Sequence, residues 1–188
     1  MAMVNSVLGP LETSQLGFTL MHEHLLCGFA GVSENWPQLL AQDFMGKIID
    51  GLSQAREADV TTVVDATTID LGRDVNVMVD ASRRSGVNVI ACAGWWLDTP
   101  PFFEGVSADQ FADLFIREVR EGMCGTDVKA GILKGASDIA GVTVHEEIIL
   151  RGVARAHLET KAPIMLHSYA LGRVGVQQLA ILREEGVD

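Results

Sequence analysis

The chain has 188 residues, of which 48% are hydrophobic and 21% are charged, a composition typical of a folded protein with a core. Its 14 basic and 25 acidic residues give a net charge of −11, which argues against nucleic acids and anionic membranes as partners. Three separated cysteines indicate neither a disulfide framework nor a cysteine zinc site. With no signal-peptide or membrane-span pattern, we expect a single cytoplasmic domain over residues 1–188.

Short apolar runs alternate with longer amphipathic segments along the chain. A hairpin is predicted around Gly9. Runs rich in Val, Ile, Thr or aromatic residues then predict five strands, at 18–24, 60–68, 87–96, 128–135 and 162–168. Apolar spacing near 3.6 residues predicts helices at 40–58, 73–85, 107–122, 143–161 and 172–186. Two of these helices begin with capping-box patterns, Ser107 with Gln110 and Thr143 with Glu146.

The strict alternation of strands and helices predicts a parallel sheet covered by helices. An open doubly wound sheet and a closed (β/α)8 barrel both have this order. The barrel is favoured because polar side chains stand at or just after the predicted strand ends, where barrels carry their active sites. These side chains are His22, His24, Asp65, Thr67, Trp96, Asp98, Lys134 and His167. No strand is followed by a GxGxxG or P-loop pattern, so we predict an α/β fold of TIM-barrel type with five βα units and an N-terminal hairpin.

Two histidines stand one residue apart in the apolar run FTLMHEHLL. In a strand, the side chains of His22 and His24 point to one face and that of Glu23 to the other. A divalent metal ion would satisfy both imidazoles. Surface histidines, or core histidines with hydrogen-bond partners, produce the same pattern, so the pair alone does not decide.

Lys134 ends the predicted strand in AGILK, where a buried ammonium group would be desolvated. The amine could reach solvent along its flexible stem, or it could form a Schiff base as a covalent nucleophile. A third interpretation is that the neutral amine reacts with carbon dioxide and the resulting carbamate bridges two metal ions. The neighbouring histidines favour the carbamate. By contrast, we expect Arg73 and Asp74 to form a structural ion pair at a helix start.

Three short motifs together resemble the phosphotriesterase family of the amidohydrolase superfamily, which includes lactonases. They are HEH at 22–24, GILK at 131–134 and PIMLHS at 163–168. The similarity continues through VLGPLETSQLGFTLMHEHLL, TTIDLGRDVNVM, GWWLDTPPFF and GVQQLAILREEGVD. It therefore covers nearly the whole chain.

The resemblance implies a binuclear metal centre in the mouth of a barrel. His22 and His24 would bind the more buried metal ion and His167 the more exposed one. Lys134, as N6-carboxylysine, would bridge both ions. Zinc is the expected metal, with manganese, cobalt and iron as alternatives for the same ligands.

The resemblance also implies hydrolysis of a small-molecule ester, lactone or organophosphate, by attack of a hydroxide held between the two metal ions. An aromatic and aliphatic segment is predicted to line the leaving-group pocket. Its residues are Trp96, Leu97, Phe102 and Phe103. Packing at the barrel rim is the alternative role of each of these side chains.

The family pattern requires two further ligands, a histidine on the sixth barrel strand and an aspartate on the eighth. A complete barrel takes about 250 residues, so we expect the chain to be the N-terminal part of a longer metal-dependent hydrolase. A second hypothesis is a non-catalytic half-barrel that associates with itself or with another polypeptide, because unpaired strand edges attract other strands. In either case we expect a homodimer. A Schiff-base lyase that uses Lys134 is a third.

Overall fold

The computed structural model of the protein describes residues 2–97 and 99–188. Asp98, which follows the third predicted strand, lies outside the described residues. The strands are β1 (Met3–Ser6), β2 (Gly9–Glu12), β3 (Phe18–Glu23), β4 (Val60–Asp65), β5 (Asn88–Gly94), β6 (Ile132–Ser137) and β7 (Ile164–Ser168). The α-helices are α1 (Val32–Asn35), α2 (Phe44–Glu57), α3 (Val75–Ser85), α4 (Ala108–Arg120), α5 (Val144–Thr160) and α6 (Val174–Glu184).

The architecture is a hairpin followed by a curled parallel sheet. Strands β1 and β2 pair antiparallel, and β3 to β7 form a five-stranded sheet in sequential order, with every neighbouring pair parallel. Helices connect these strands, as βα units require. The result is a partial TIM barrel, which confirms the predicted fold class. None of the helices described is both long and apolar enough to cross a membrane.

The predicted helices and strands agree with the structure to within a few residues, and both capping boxes are present. The short helix α1 was not predicted, and α2 starts at Phe44 instead of 40. The difference that matters for the site is at β6, which was predicted at 128–135 and is found at Ile132–Ser137. Its second half is the small-residue segment Gly135–Ser137, which has little intrinsic strand preference. Pairing with β7 makes this segment a strand. Lys134 therefore lies in the third position of β6, and its predicted place at the strand end is wrong.

The core lies on both faces of the sheet. Between the sheet and the helices, side chains such as Val89, Leu133 and Phe115 form the largest buried cluster. On the inner face, a smaller apolar cluster contains Val64, Ile90, Cys92 and Ile132. This inner cluster fills the lower part of the half-barrel, so the polar side chains above it stand at the carboxyl ends of the strands.

Arg73 and Asp74 are not paired with each other. Asp74 caps α3 by accepting hydrogen bonds from the next backbone N–H groups, since an aspartate at this position satisfies otherwise unpaired donors. Arg73 points inward, where it forms an ion pair with Glu118 at 2.5 Å and donates a hydrogen bond to the carbonyl of Cys92 at 2.7 Å. The predicted pair is therefore not formed. Instead, Arg73, in the loop after β4, binds both α4 and β5.

Candidate metal centre

The predicted ligands lie on three strands of the sheet. His22 is on β3, with His24 directly after it, Lys134 is on β6 and His167 is on β7. The Lys134 Nζ atom lies 3.0 Å from His22 Nε2, and the His22 and His24 ring centroids are 5.3 Å apart. His167 is close enough for its charge to lower the pKa of both other histidines. The structure thus brings the four side chains to one end of the half-barrel.

Lys134 is buried, with 1% of its surface exposed. Its neighbour on β5 is Gly94, at φ +130°, where a Cβ atom would collide with the Lys134 carbonyl. The absence of a side chain there lets the two strands approach closely, as glycine permits. Desolvation lowers the pKa of Lys134 to about 8, because burial disfavours the ammonium form.

The pKa values of His22 and His24 are both lowered from the usual value for histidine. Burial is the main cause that lowers the pKa of His22, and the charge of Lys134 lowers it further. Burial also lowers the pKa of His24, against the opposing effect of Asp65. Metal ligation requires an unprotonated imidazole. These shifts therefore favour the protonation state in which both side chains can bind a metal ion.

The His24 ring forms a hydrogen bond with the buried hydroxyl group of Thr67. The Nδ1 atom of His24 lies 2.9 Å from Thr67 Oγ1, and Thr67 is fully buried. The carboxylate of Asp65 accepts the backbone N–H of Leu25 at 3.0 Å and that of Thr67 at 2.8 Å. Burial raises the pKa of Asp65. The segments after β3 and β4 are therefore bound to one another through this carboxylate.

His167 is fixed through its backbone and keeps one ring atom unpaired. Gln178 on α6 donates its side-chain amide to the His167 carbonyl at 2.9 Å, and its other end accepts the hydroxyl of Ser168. The buried His167 Nε2 has no hydrogen-bond partner among the described residues, and the nearest carboxylate oxygen, on Asp138, is 3.7 Å away. A buried imidazole nitrogen without a partner is a suitable donor to a metal ion.

The predicted pocket residues divide into two groups. Trp96 stands edge-on to His167, with ring centroids 6.3 Å apart, and its backbone N–H donates to the Asp70 carboxylate at 3.2 Å. Leu97 follows in the same loop and is half-buried. Trp96 therefore lies beside the candidate centre.

Phe102 and Phe103 have other surroundings. The ring of Phe103 packs edge-on against Trp95 at 4.7 Å and lies 5.3 Å from Phe111 on α4. It lines a cavity of about 150 Å³ between the sheet and that helix. Phe102 is 83% exposed and contacts Phe103. Phe103 therefore packs in the core between the sheet and α4, and Phe102 lies at the exposed rim. Neither ring has a described contact with the histidines.

Three residues near the site were not predicted, namely Asp70, Asp138 and Gln178. The two aspartates follow strands β4 and β6, so their position after a barrel strand could have indicated them. Gln178 lies within a helix, and its burial is a consequence of packing against β7. No pattern in the sequence distinguishes it from other helical glutamines.

The donor set fits a divalent metal ion only if the lysine takes part. No group of three or more His, Cys, Asp or Glu side chains in residues 2–97 and 99–188 is arranged to hold a metal ion. The three imidazoles and the Lys134 amine nevertheless share one end of the sheet. Conversion of the amine to a carbamate would add oxygen ligands of the kind that complement imidazole around zinc.

The profile of the Phosphotriesterase family matches residues 2–188. The chain belongs to the phosphotriesterase family. The family assignment made from the HEH, GILK and PIMLHS motifs is thereby confirmed. Members of this family generally bind divalent metal ions.

Three relatives show the range of the family. The aryldialkylphosphatase of Saccharolobus solfataricus is 40% identical over 95% of this chain and 58% of its own length. A phosphotriesterase homology protein of Mycobacterium tuberculosis is 35% identical over 98% of this chain and 60% of its own length. The N-acetyltaurine hydrolase of Danio rerio is 27% identical over 98% of this chain and 62% of its own length. The chain thus spans less than two thirds of these relatives.

Proposed function

We propose that His22, His24, Lys134 and His167 bind two divalent metal ions in a hydrolase. The observation that carries this proposal is the buried Lys134 amine, 3.0 Å from His22 Nε2. The unpaired Nε2 atom of His167 and the names of the hydrolases to which the chain is similar support it. Zinc is the metal that we expect.

Each of these side chains has a defined task. The three imidazoles would hold the metal ions, and Lys134, as a carbamate, would supply further oxygen ligands. When bound, the metal ions would polarise the oxygen of the substrate and lower the pKa of water to near neutrality. Trp96, which is held by its N–H bond to Asp70, would contact the leaving group and exclude water from it.

The proposed substrate is a small uncharged ester, with a lactone or other carboxylic ester favoured over a phosphotriester. The name aryldialkylphosphatase supports a phosphotriester, whereas N-acetyltaurine hydrolase supports an amide. The same metal chemistry serves all three bonds, because each has an oxygen that takes up negative charge during attack. The side chains that surround the substrate therefore decide between them.

A panel of substrates tests the proposal. The purified chain, supplied with zinc and bicarbonate, is assayed with a γ-lactone, an aryl ester, an aryl dialkyl phosphate and N-acetyltaurine. For any substrate that the chain hydrolyses, we expect Lys134→Met to reduce the rate by roughly 100-fold or more, since the proposed carbamate would be a ligand of the metal ions that activate water. The matched control is Lys129→Met, at an exposed lysine just before β6. Equal rates for both variants would contradict the proposal.

A second candidate function is a non-catalytic half-barrel that associates as a homodimer. It is favoured by the edge strand β3, where Phe18 is 65% exposed and Met21 is 57% exposed. Exposed apolar side chains on an unpaired strand edge promote association. Light scattering of the chain distinguishes the two candidates, because a dimer without hydrolysis supports this one and a hydrolytic monomer excludes it.

A further inference from the structure

We propose that Asp70 is a positioning residue that holds the Trp96 ring beside His167, so that the candidate centre prefers substrates with an aromatic group next to the reacting bond. The substrate preference rests on the function proposed above, whereas the contact between Asp70 and Trp96 does not. The backbone nitrogen of Trp96 lies 3.2 Å from each carboxylate oxygen of Asp70. A backbone N–H can only donate, and a carboxyl group can accept in either protonation state, so the direction of this hydrogen bond is fixed.

The end of β5 explains why an acceptor is needed at this place. The pairing of β5 with β6 ends at Gly94, and its pairing with β4 ends earlier. The backbone N–H of Trp95 still donates to the Lys134 carbonyl at 3.3 Å. The next N–H, that of Trp96, lies beyond both pairings, and the Asp70 carboxylate binds it instead. Loss of this acceptor would leave a partly buried backbone donor without its partner, which costs free energy.

Two neighbouring tryptophan rings have different surroundings at this point of the chain. The ring centroid of Trp95 is 4.7 Å from that of Phe103, in the core between the sheet and α4, whereas the Trp96 centroid is 6.3 Å from that of His167. A hydrogen bond at the backbone of Trp96 limits rotation of the chain there and therefore keeps its ring beside His167. An indole ring in this position offers a flat apolar contact to an aromatic group of a substrate.

Asp70 lies in a turn after β4 that is itself bound to a neighbouring segment. The hydroxyl oxygen of Thr68 lies 2.5 Å from Asp70 Oδ1. The Asp70 carbonyl accepts the backbone N–H of Ala30 at 3.3 Å, and the Leu71 carbonyl accepts that of Gly28 at 2.8 Å. Because Gly28 and Ala30 belong to the segment after β3, the turn joins the segments that follow β3, β4 and β5. The carboxylate therefore has a fixed position from which to hold the last of these segments.

The contact is tested by NMR of the metal-free chain labelled with ¹⁵N-tryptophan, in which the Trp96 signals are assigned from Trp96→Phe. In the wild type we expect a slowly exchanging Trp96 amide and a nuclear Overhauser effect between the Trp96 and His167 rings. Asp70→Ala should speed the exchange of this amide by about 10-fold, the effect of one net hydrogen bond, and should abolish the Overhauser effect. Asp70→Asn keeps an acceptor oxygen and should restore both.

Asp74→Ala is the matched control. The Asp74 carboxylate likewise accepts two backbone N–H groups, those of Asn76 and Val77, but it caps α3 and has no described contact with Trp96. Its removal should lower the melting temperature, as in Asp70→Ala, and leave the Trp96 signals unchanged. An equal loss of Trp96 amide protection in this control, or no loss in Asp70→Ala, would overturn the inference.

The substrate preference is tested by the ratio of kcat/KM for phenyl acetate to kcat/KM for methyl acetate, with zinc and bicarbonate present. We expect Asp70→Ala to lower this ratio about 10-fold through a higher KM for the phenyl ester, because the loss of one apolar contact changes discrimination by about this factor. Asp70→Asn and Asp74→Ala should keep the ratio. An unchanged ratio in Asp70→Ala would overturn the preference. A chain that hydrolyses neither ester, but in which protection of the Trp96 amide depends on Asp70, would uphold the positioning role and contradict the proposed function instead.

Discussion

The Lys134 amine has two reactive routes, and both need its neutral form. With a pKa of about 8, about a tenth of the amine is uncharged at pH 7, against less than about one in a thousand for an ordinary lysine. Reaction with carbon dioxide gives a carbamate, which ¹³C NMR with labelled bicarbonate detects. Attack on a carbonyl substrate gives a Schiff base, which borohydride traps. A carbamate signal without trapping supports the metal centre and excludes the lyase.

The stability of the metal-free protein should depend on pH through Lys134. Between pH 8 and 10.5 the unfolded chain binds a proton on this lysine that the folded chain does not bind. Folding stability therefore rises with pH across this window. The penalty of burying the ammonium group is complete below about pH 8 and is gone above pH 10.5.

Lys134→Met removes this titration and keeps a side chain of similar length. In buffer free of carbon dioxide and metal, we expect the variant to melt at least about 2 °C above the wild type at pH 7. The difference should shrink as the pH is raised to 10. The check is the melting temperature of both proteins across this range, and parallel curves would contradict the pKa assigned to Lys134.

Among the secondary-structure elements, α4 is bound to the sheet through the buried side chain of Arg73. Its guanidinium contacts Glu118 on α4 and the Cys92 carbonyl on β5, and its side chain is fully buried while that of Glu118 is 18% exposed. Removing one partner of a buried ion pair leaves the other charge without compensation. This pair therefore matters more than the ion pairs on the helix surfaces.

Glu118→Ala should lower the free energy of unfolding by about 3 kcal/mol. The matched control is Arg84→Ala, which breaks an i,i+4 pair with Asp80 whose side chains are about half exposed and should cost less than about 0.5 kcal/mol. Urea denaturation followed by circular dichroism measures both. Similar losses in the two variants would mean that the Arg73 pair contributes no more than a surface pair.

Across the whole molecule, the sequence was sufficient for the order of elements and for the type of fold. Periodicity and capping residues predict strands and helices well because both are local properties. Long-range pairing is not local, which is why the small-residue end of β6 and the true partner of Arg73 were not predicted. The position of Phe103 between Trp95 and Phe111 is likewise a packing result, since an aromatic side chain after a strand suits either a pocket or a core.

The candidate site was predictable in its residue types and less so in its supporting contacts. The histidines and Lys134 stand out because polar groups interrupt apolar strands. The residues that hydrogen-bond to them are ordinary polar residues. Thr67 bonds to the His24 ring and Gln178 bonds to the His167 carbonyl, and both contacts depend on how a neighbouring strand or helix packs. Only the assembled sheet brings them together.

The most direct test of the account is the amount of zinc bound per chain, measured by inductively coupled plasma mass spectrometry after refolding with zinc and bicarbonate. We predict a ratio of about two for the wild type and for Lys129→Met, and below about one for Lys134→Met, because the proposed carbamate would be a ligand of both metal ions. A ratio near zero in the wild type, or the same ratio in all three proteins, would contradict the claim that Lys134 and the three histidines form a metal centre.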